Sequence, residues 1–190
     1  MKRMLLVAAA LLTVVAVPLA ANEEEALRVH LTGYQETAVT INTTGSGEFK
    51  ARFTPDGTAI DYELTYRDLS SAITQSHIHF GRPAITGGVV LYLCTNLGNA
   101  PATVPVPQAC PTTNPATITG TLTAANVIAV PAQGIDAGAA GFAEMLQAIH
   151  AGAAYVNVHT TNHPSGEIRA RLGGHEHRDH GRGHHDDHHH

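Results

Sequence analysis

The feature that most constrains this chain is a two-residue rhythm. Runs at 27–31, 48–53, 60–66, 73–80, 117–123, 154–160 and 167–172 are β-rich or alternate apolar with polar residues, and 89–93 is unbroken apolar. In an extended strand successive side chains point to opposite faces. Phe49, Ala51 and Phe53 therefore share a face, as do Ile60, Tyr62, Leu64 and Tyr66, and again Ile168, Ala170 and Leu172. Pro55-Asp56-Gly57 is a turn, so the second and third runs form a hairpin. The apolar run 89–93 reads as a strand buried on both faces, or as a central one. One segment breaks the rhythm. Residues 136–151 are Ala-rich, with Phe142, Met145, Leu146 and Ile149 at helical spacing. They predict one amphipathic helix, with Asp136 as N-cap, Gly152 just past the end and His150 a favourable charge in the last turn. The whole predicts an all-β fold: a Greek-key-like antiparallel sandwich or flattened barrel of about eight strands, with one inserted helix as a lid.

Within that rhythm lies a pattern of histidines. In Gln75-Ser76-His77-Ile78-His79-Phe80, His77 and His79 point one way, and Ile78 and Phe80 face the core. In Tyr155-Val156-Asn157-Val158-His159-Thr160, Val156 and Val158 take the core side and His159 lies opposite. His163 follows in a loop. Two imidazoles one pleat apart stand about 7 Å apart at the base, and their ring nitrogens can converge on one ion. Three or four imidazoles without thiolate suit Cu(II) or Zn(II). The expected ligands are His77, His79, His159 and His163. Glu167 is placed to orient a ligand ring through its second nitrogen, and Arg169, on the same face, to attract an anion. In the competing reading these histidines bond backbone and loops, and are structural.

The ends of the chain are of different character. Lys2-Arg3, an apolar run at 4–16 and Val17-Pro18-Leu19-Ala20-Ala21 have the three parts of a secretory signal peptide, cut after Ala21. The apolar run is too short for a transmembrane helix. This predicts a leader at 1–21, a β domain at 22–172, and a secreted or periplasmic protein with no transmembrane segment after cleavage. Residues 173–190 hold eight of the 14 His and no apolar residue to bury, which predicts a disordered tail. It reads as metal-capturing or simply as solvated. The two cysteines, Cys94 and Cys110, flank a loop rich in proline. In an oxidising compartment they make a disulfide; the other reading is a copper or zinc thiolate pair. Net charge is −5, and no basic cluster suits nucleic acid. There is no Gly-x-Ser-x-Gly elbow and no phosphate-binding loop before a helix, which argues against a hydrolase.

Leu31-Thr32-Gly33-Tyr34-Gln35-Glu36, Ser76-His77-Ile78-His79, Tyr155-Val156-Asn157-Val158-His159-Thr160 and His163-Pro164-Ser165-Gly166-Glu167-Ile168-Arg169 together resemble the CHRD domain family. The likeness runs over about 27–172. After Arg169 the family often continues with Gly and Gln, where this chain has Ala170-Arg171. The resemblance implies an exported β domain. A more distant likeness is to copper,zinc superoxide dismutase, another Greek-key β-sandwich with a His-x-His strand; the Asp-containing zinc loop of that enzyme has no counterpart here. Two functions are therefore expected. One is binding of a single metal ion, copper first and zinc second, in metal handling or superoxide-dismutase-like redox chemistry. The other is a non-catalytic adhesion or ligand-binding module that uses the loop 81–88 and the cysteine loop.

Overall fold

Eight strands form one continuous antiparallel sheet in the computed structural model, which describes residues 25–173. They are β1 (Ala26–Thr32), β2 (Ser46–Phe53), β3 (Ala59–Arg67), β4 (Ile73–Phe80), β5 (Gly88–Thr95), β6 (Ala116–Thr123), β7 (Ala154–Thr160) and β8 (Ile168–Leu172). Each coincides with a run expected from the alternation, within two residues at either end. The leader and tail expected from sequence lie outside the described residues, apart from Gly173. The sheet order is β5-β4-β7-β8-β1-β2-β3-β6, and it curls into a nearly closed barrel.

The inward faces are those the periodicity names. Phe49, Ile60, Leu64, Tyr66, Ile78, Val156, Val158 and Ile168 are all buried in one core cluster. Each large side chain so enclosed contributes roughly 1.5–3 kcal/mol relative to exposure.

One strand sits elsewhere than expected. β5 is an end strand, paired only with β4. Its apolar character comes from the way the barrel closes. Tyr62 on β3 donates its Oη–H to Leu93 O on β5 at 2.9 Å. The β5–β6 loop lies along the seam: Thr95 N donates to Gln108 O at 3.0 Å, and Gln108 Nε2 donates to Thr119 O at 2.9 Å. Cys94 and Cys110 are disulfide-bonded, which anchors this loop and excludes the thiolate-pair reading. An end strand covered in this way has no open edge to protect.

The helix, α1 (Gly138–His150), packs Phe142, Met145, Ala148 and Ile149 inward. Asp136 does not cap it. The N-cap is Ala137, without a side-chain bond, because the chain enters through Gly138 at φ +69°, which sets Asp136 apart from the first turn. Instead Glu144 reaches back and accepts from Asp136 N at 2.8 Å. His150 lies in the last turn, 3.0 Å from the Glu25 carboxylate.

Candidate metal centre

Strand register assembles the site. β4 and β7 pair without a slip from Gln75 onward, so Gln75 faces His159, His77 faces Asn157 and His79 faces Tyr155. β8 continues the rows, with Asn157 opposite Arg169 and Tyr155 opposite Arg171. On the other side β5 carries two one-residue register shifts against β4, flanking His77 and His79. Such bulges re-aim side chains and bend a strand. Here they set Tyr92 opposite His77, its ring edge-on at 4.5 Å.

Three of the four expected histidines come together. His77, His79 and His159 each offer a ring nitrogen, and those atoms lie within 4.8 Å of one another. Three nitrogens spread around one ion at ~2.0–2.1 Å stand about 3.3–3.6 Å apart. Closing these spacings by about an ångström therefore brings the trio to coordinating distance. His163 is outside this group. It acts through its backbone: its carbonyl accepts from Thr160 N and Gly166 N, which forms the turn that carries Pro164.

The trio points away from the barrel core, as expected, but not into solvent. His77, His79 and His159 are 2, 6 and 7% exposed. The loop 81–87 lies over this face. Arg169 donates to the carbonyls of Arg82 and Ile85, and Gly87 N donates to Tyr155 Oη at 3.1 Å. Gly87 has no room for a side chain, because a Cβ there would run into the Phe80 carbonyl. Burial holds the imidazoles neutral. It pushes the pKa of His77 down to about 2, helped by His159 and His79. It pushes His79 down to about 4 against the opposing pull of the Gly87 carbonyl, and it lowers His159 as well.

A neutral imidazole has one N–H and one lone pair. His79 Nδ1 lies 3.0 Å from Gly87 O, and His159 Nδ1 lies 3.0 Å from Pro164 O. A carbonyl only accepts, so both protons sit on Nδ1. Both Nε2 lone pairs then face Asn157 Oδ1, each at 3.1 Å. His77 adds two more buried nitrogens, and neither has a hydrogen-bond partner. The centre thus collects imidazole lone pairs and the Asn157 oxygen; its one N–H is that of His77, on whichever ring nitrogen carries the proton. Turning the Asn157 amide over would put its N–H groups between His79 and His159, but both His77 nitrogens would stay unpartnered. A cation bound there would take one lone pair from each imidazole together with the Asn157 oxygen.

The other expected residues have different duties. The ring-orienting acceptors are the Gly87 and Pro164 carbonyls, not Glu167. Glu167 accepts from Thr43 Oγ1, Ser70 N, Ser70 Oγ and Thr160 Oγ1 at 2.6–2.9 Å, and none of these partners is a histidine. Arg169 is buried, its guanidinium 3.3 Å from the Tyr155 ring centroid, while Tyr155 stacks on His79 at 4.5 Å. Asn157 is the participant not expected as a ligand, although it lies within the Tyr155–Thr160 block. The available signal was its place in the rhythm, a polar residue midway between Tyr155 and His159 on their face.

Comparison with known proteins returns one match. The family model of the CHRD domain matches residues 27–172. No curated protein matches the chain, and no solved structure does, so the likeness to copper,zinc superoxide dismutase rests on pattern alone.

Proposed function

The chain belongs to the CHRD domain family, and we propose that its domain binds one transition-metal cation, copper in the first place and zinc as the alternative, outside the cytoplasm. His77, His79 and His159 are the ligands, and Asn157 Oδ1 is a fourth donor. The observation that carries this reading is the convergence of three imidazoles, above all His77 with both nitrogens buried and unpartnered. An unsatisfied buried polar group costs about 1–3 kcal/mol, a cost that a bound cation would offset. A disulfide at Cys94–Cys110 suits an oxidising compartment, and no helix among the described residues is long and apolar enough to cross a membrane.

Enclosure bears on what the metal does. Ligands under a pinned loop favour holding an ion over exchanging substrate at it, so metal handling is the primary role. Superoxide-dismutase-like turnover is the narrower form, and it requires the anion to reach the metal; copper would supply the redox couple. The competing reading is an interaction module with structural histidines. It is favoured by the Asn157 amide, which can bridge His79 and His159, and by the exposed Leu97 and Val106 of the cysteine loop.

The test is thermal unfolding with copper(II) or zinc(II). A ligand that binds only the folded state stabilises it by about 4 kcal/mol at a thousandfold excess over Kd. The tail carries eight histidines of its own. The titration is therefore run on the full chain and on a chain ending at Gly173, which keeps the whole barrel. One equivalent should raise Tm in both, and His77→Phe should abolish the rise. No rise in the unaltered chain, or an equal rise in the variant, would rule out the metal centre.

A further inference from the structure

On the β8 side of Tyr155 the surface opens into a cleft of about 450 Å³. Tyr34, Glu36, Thr37, Tyr155, Arg169 and Arg171 are among its walls. Its chemistry differs from that of the histidine cluster. Arg169 donates from Nη1 to Thr37 Oγ1 and from Nη2 to the carbonyls of Arg82 and Ile85. Its Nε–H and its second Nη1–H go to no protein group among the described residues. Arg171 is exposed and spends only Nε, on Gly152 O at 3.0 Å. Two guanidinium groups thus reach one cleft with N–H donors to spare.

The single acid among these residues does not neutralise them. Glu36 is 8% exposed, and its Oε1 is buried without a partner. Its carboxyl packs on the bare Cα of Gly166, where a Cβ would come within 2.5 Å of Oε1. Burial raises its pKa to about 7, against the pull of Arg169. Near neutrality it is therefore partly a neutral acid, able to donate as well as accept. The cleft is a cationic spot on a chain of net charge −5. Tyr34 stands 70% exposed at its rim and offers a ring face.

We propose that this cleft binds a small organic carboxylate, with its anion on Arg169 and Arg171 and its apolar body against the ring of Tyr34. Guanidinium N–H groups match a carboxylate in plane and charge. A protonated Glu36 would add a donor to it. A phosphate dianion would set a second negative charge against Glu36, so the monoanion fits better. The proposal is independent of the metal centre and is tested without it.

Amide NMR of the full chain is recorded in chelator at pH 8, with benzoate, benzamide and inorganic phosphate as probes. Benzoate should give saturable shifts at Tyr34, Thr37 and Arg169 and should bind about tenfold more tightly than neutral benzamide. Arg171→Met, an exposed change, should weaken benzoate several-fold. Glu36→Gln should tighten it by removing a like charge. Three results overturn the assignment: no saturable shift with benzoate, equal binding of benzoate and benzamide, or phosphate binding in preference to benzoate.

Discussion

Two buried polar clusters lie on the same stretch of sheet, and their accounts close differently. Glu167 is fully enclosed, yet each of its oxygens is met: Thr43, Ser70 and Thr160 supply four donors. Burial alone would raise its pKa, but bonds from Thr160, Thr43 and Ser70 outweigh burial and hold the carboxyl below its usual value. His77 is equally enclosed, at 2% exposure, with neither nitrogen met. Thr43, Ser70 and Thr160 come from three separate segments, so the Glu167 knot ties loops to the sheet and is structural. The histidine cluster ties down loops only through the Nδ1 atoms of His79 and His159, on Gly87 O and Pro164 O, and its remaining nitrogens converge on one point. Two sites of equal burial thus differ in whether the protein supplies its own partners. Where it does, the group stabilises the fold; where it does not, the group is shaped for something outside the chain.

The largest expected effect breaks the satisfied side. Glu167→Ala leaves the Thr43, Ser70 and Thr160 donors without their acceptor, and should cost about 4 kcal/mol or more in denaturant unfolding. A loss under about 1 kcal/mol would show that the knot holds nothing.

Acidity probes the unsatisfied side. Unfolded imidazoles protonate below about pH 6.5, while His77 and His79 stay neutral in the fold down to about 2 and about 4. Their folded pKa values are depressed, so stability is fully present above pH 6.5 and is lost as pH falls. Between pH 6.5 and 5 the two together should lose about 4 kcal/mol, at ~1.4 kcal/mol per group and pH unit. Glu36 runs the other way. Its folded pKa is raised to about 7, so over the same interval it keeps a proton that the unfolded chain lacks. It should return about 2 kcal/mol. The metal-free protein should therefore lose about 2 kcal/mol net from these three groups, and Glu36→Gln about 4. Equal slopes in the two proteins would remove Glu36 from the account.

The smallest effect is the sharpest contrast. His77→Phe removes two unpartnered nitrogens and keeps an aromatic edge against Tyr92. It should stabilise the metal-free domain by about 1–2 kcal/mol, whereas every substitution at Glu167 should destabilise. Destabilisation by His77→Phe would mean that the imidazole is satisfied after all, and the two clusters would no longer differ.

Strand boundaries, core faces and the hairpin at Pro55-Asp56-Gly57 were legible in the sequence, because period-two alternation is a local property. Which face His77, His79 and His159 take follows from the same rule. The disulfide of Cys94 and Cys110 was legible on other grounds, an even cysteine count and the expectation of an oxidising compartment. The rest depends on register and cover, which no local pattern encodes. Asn157 enters the site because β7 sets it opposite His77. β5 reads as central but ends the sheet, since the seam loop supplies the cover that a neighbouring strand would have given. Glu167 and Arg169 alternate as outward residues, yet both are buried. Loops from distant parts of the chain pack over that face, and the bonds they make decide which polar group is satisfied and which is left for a ligand.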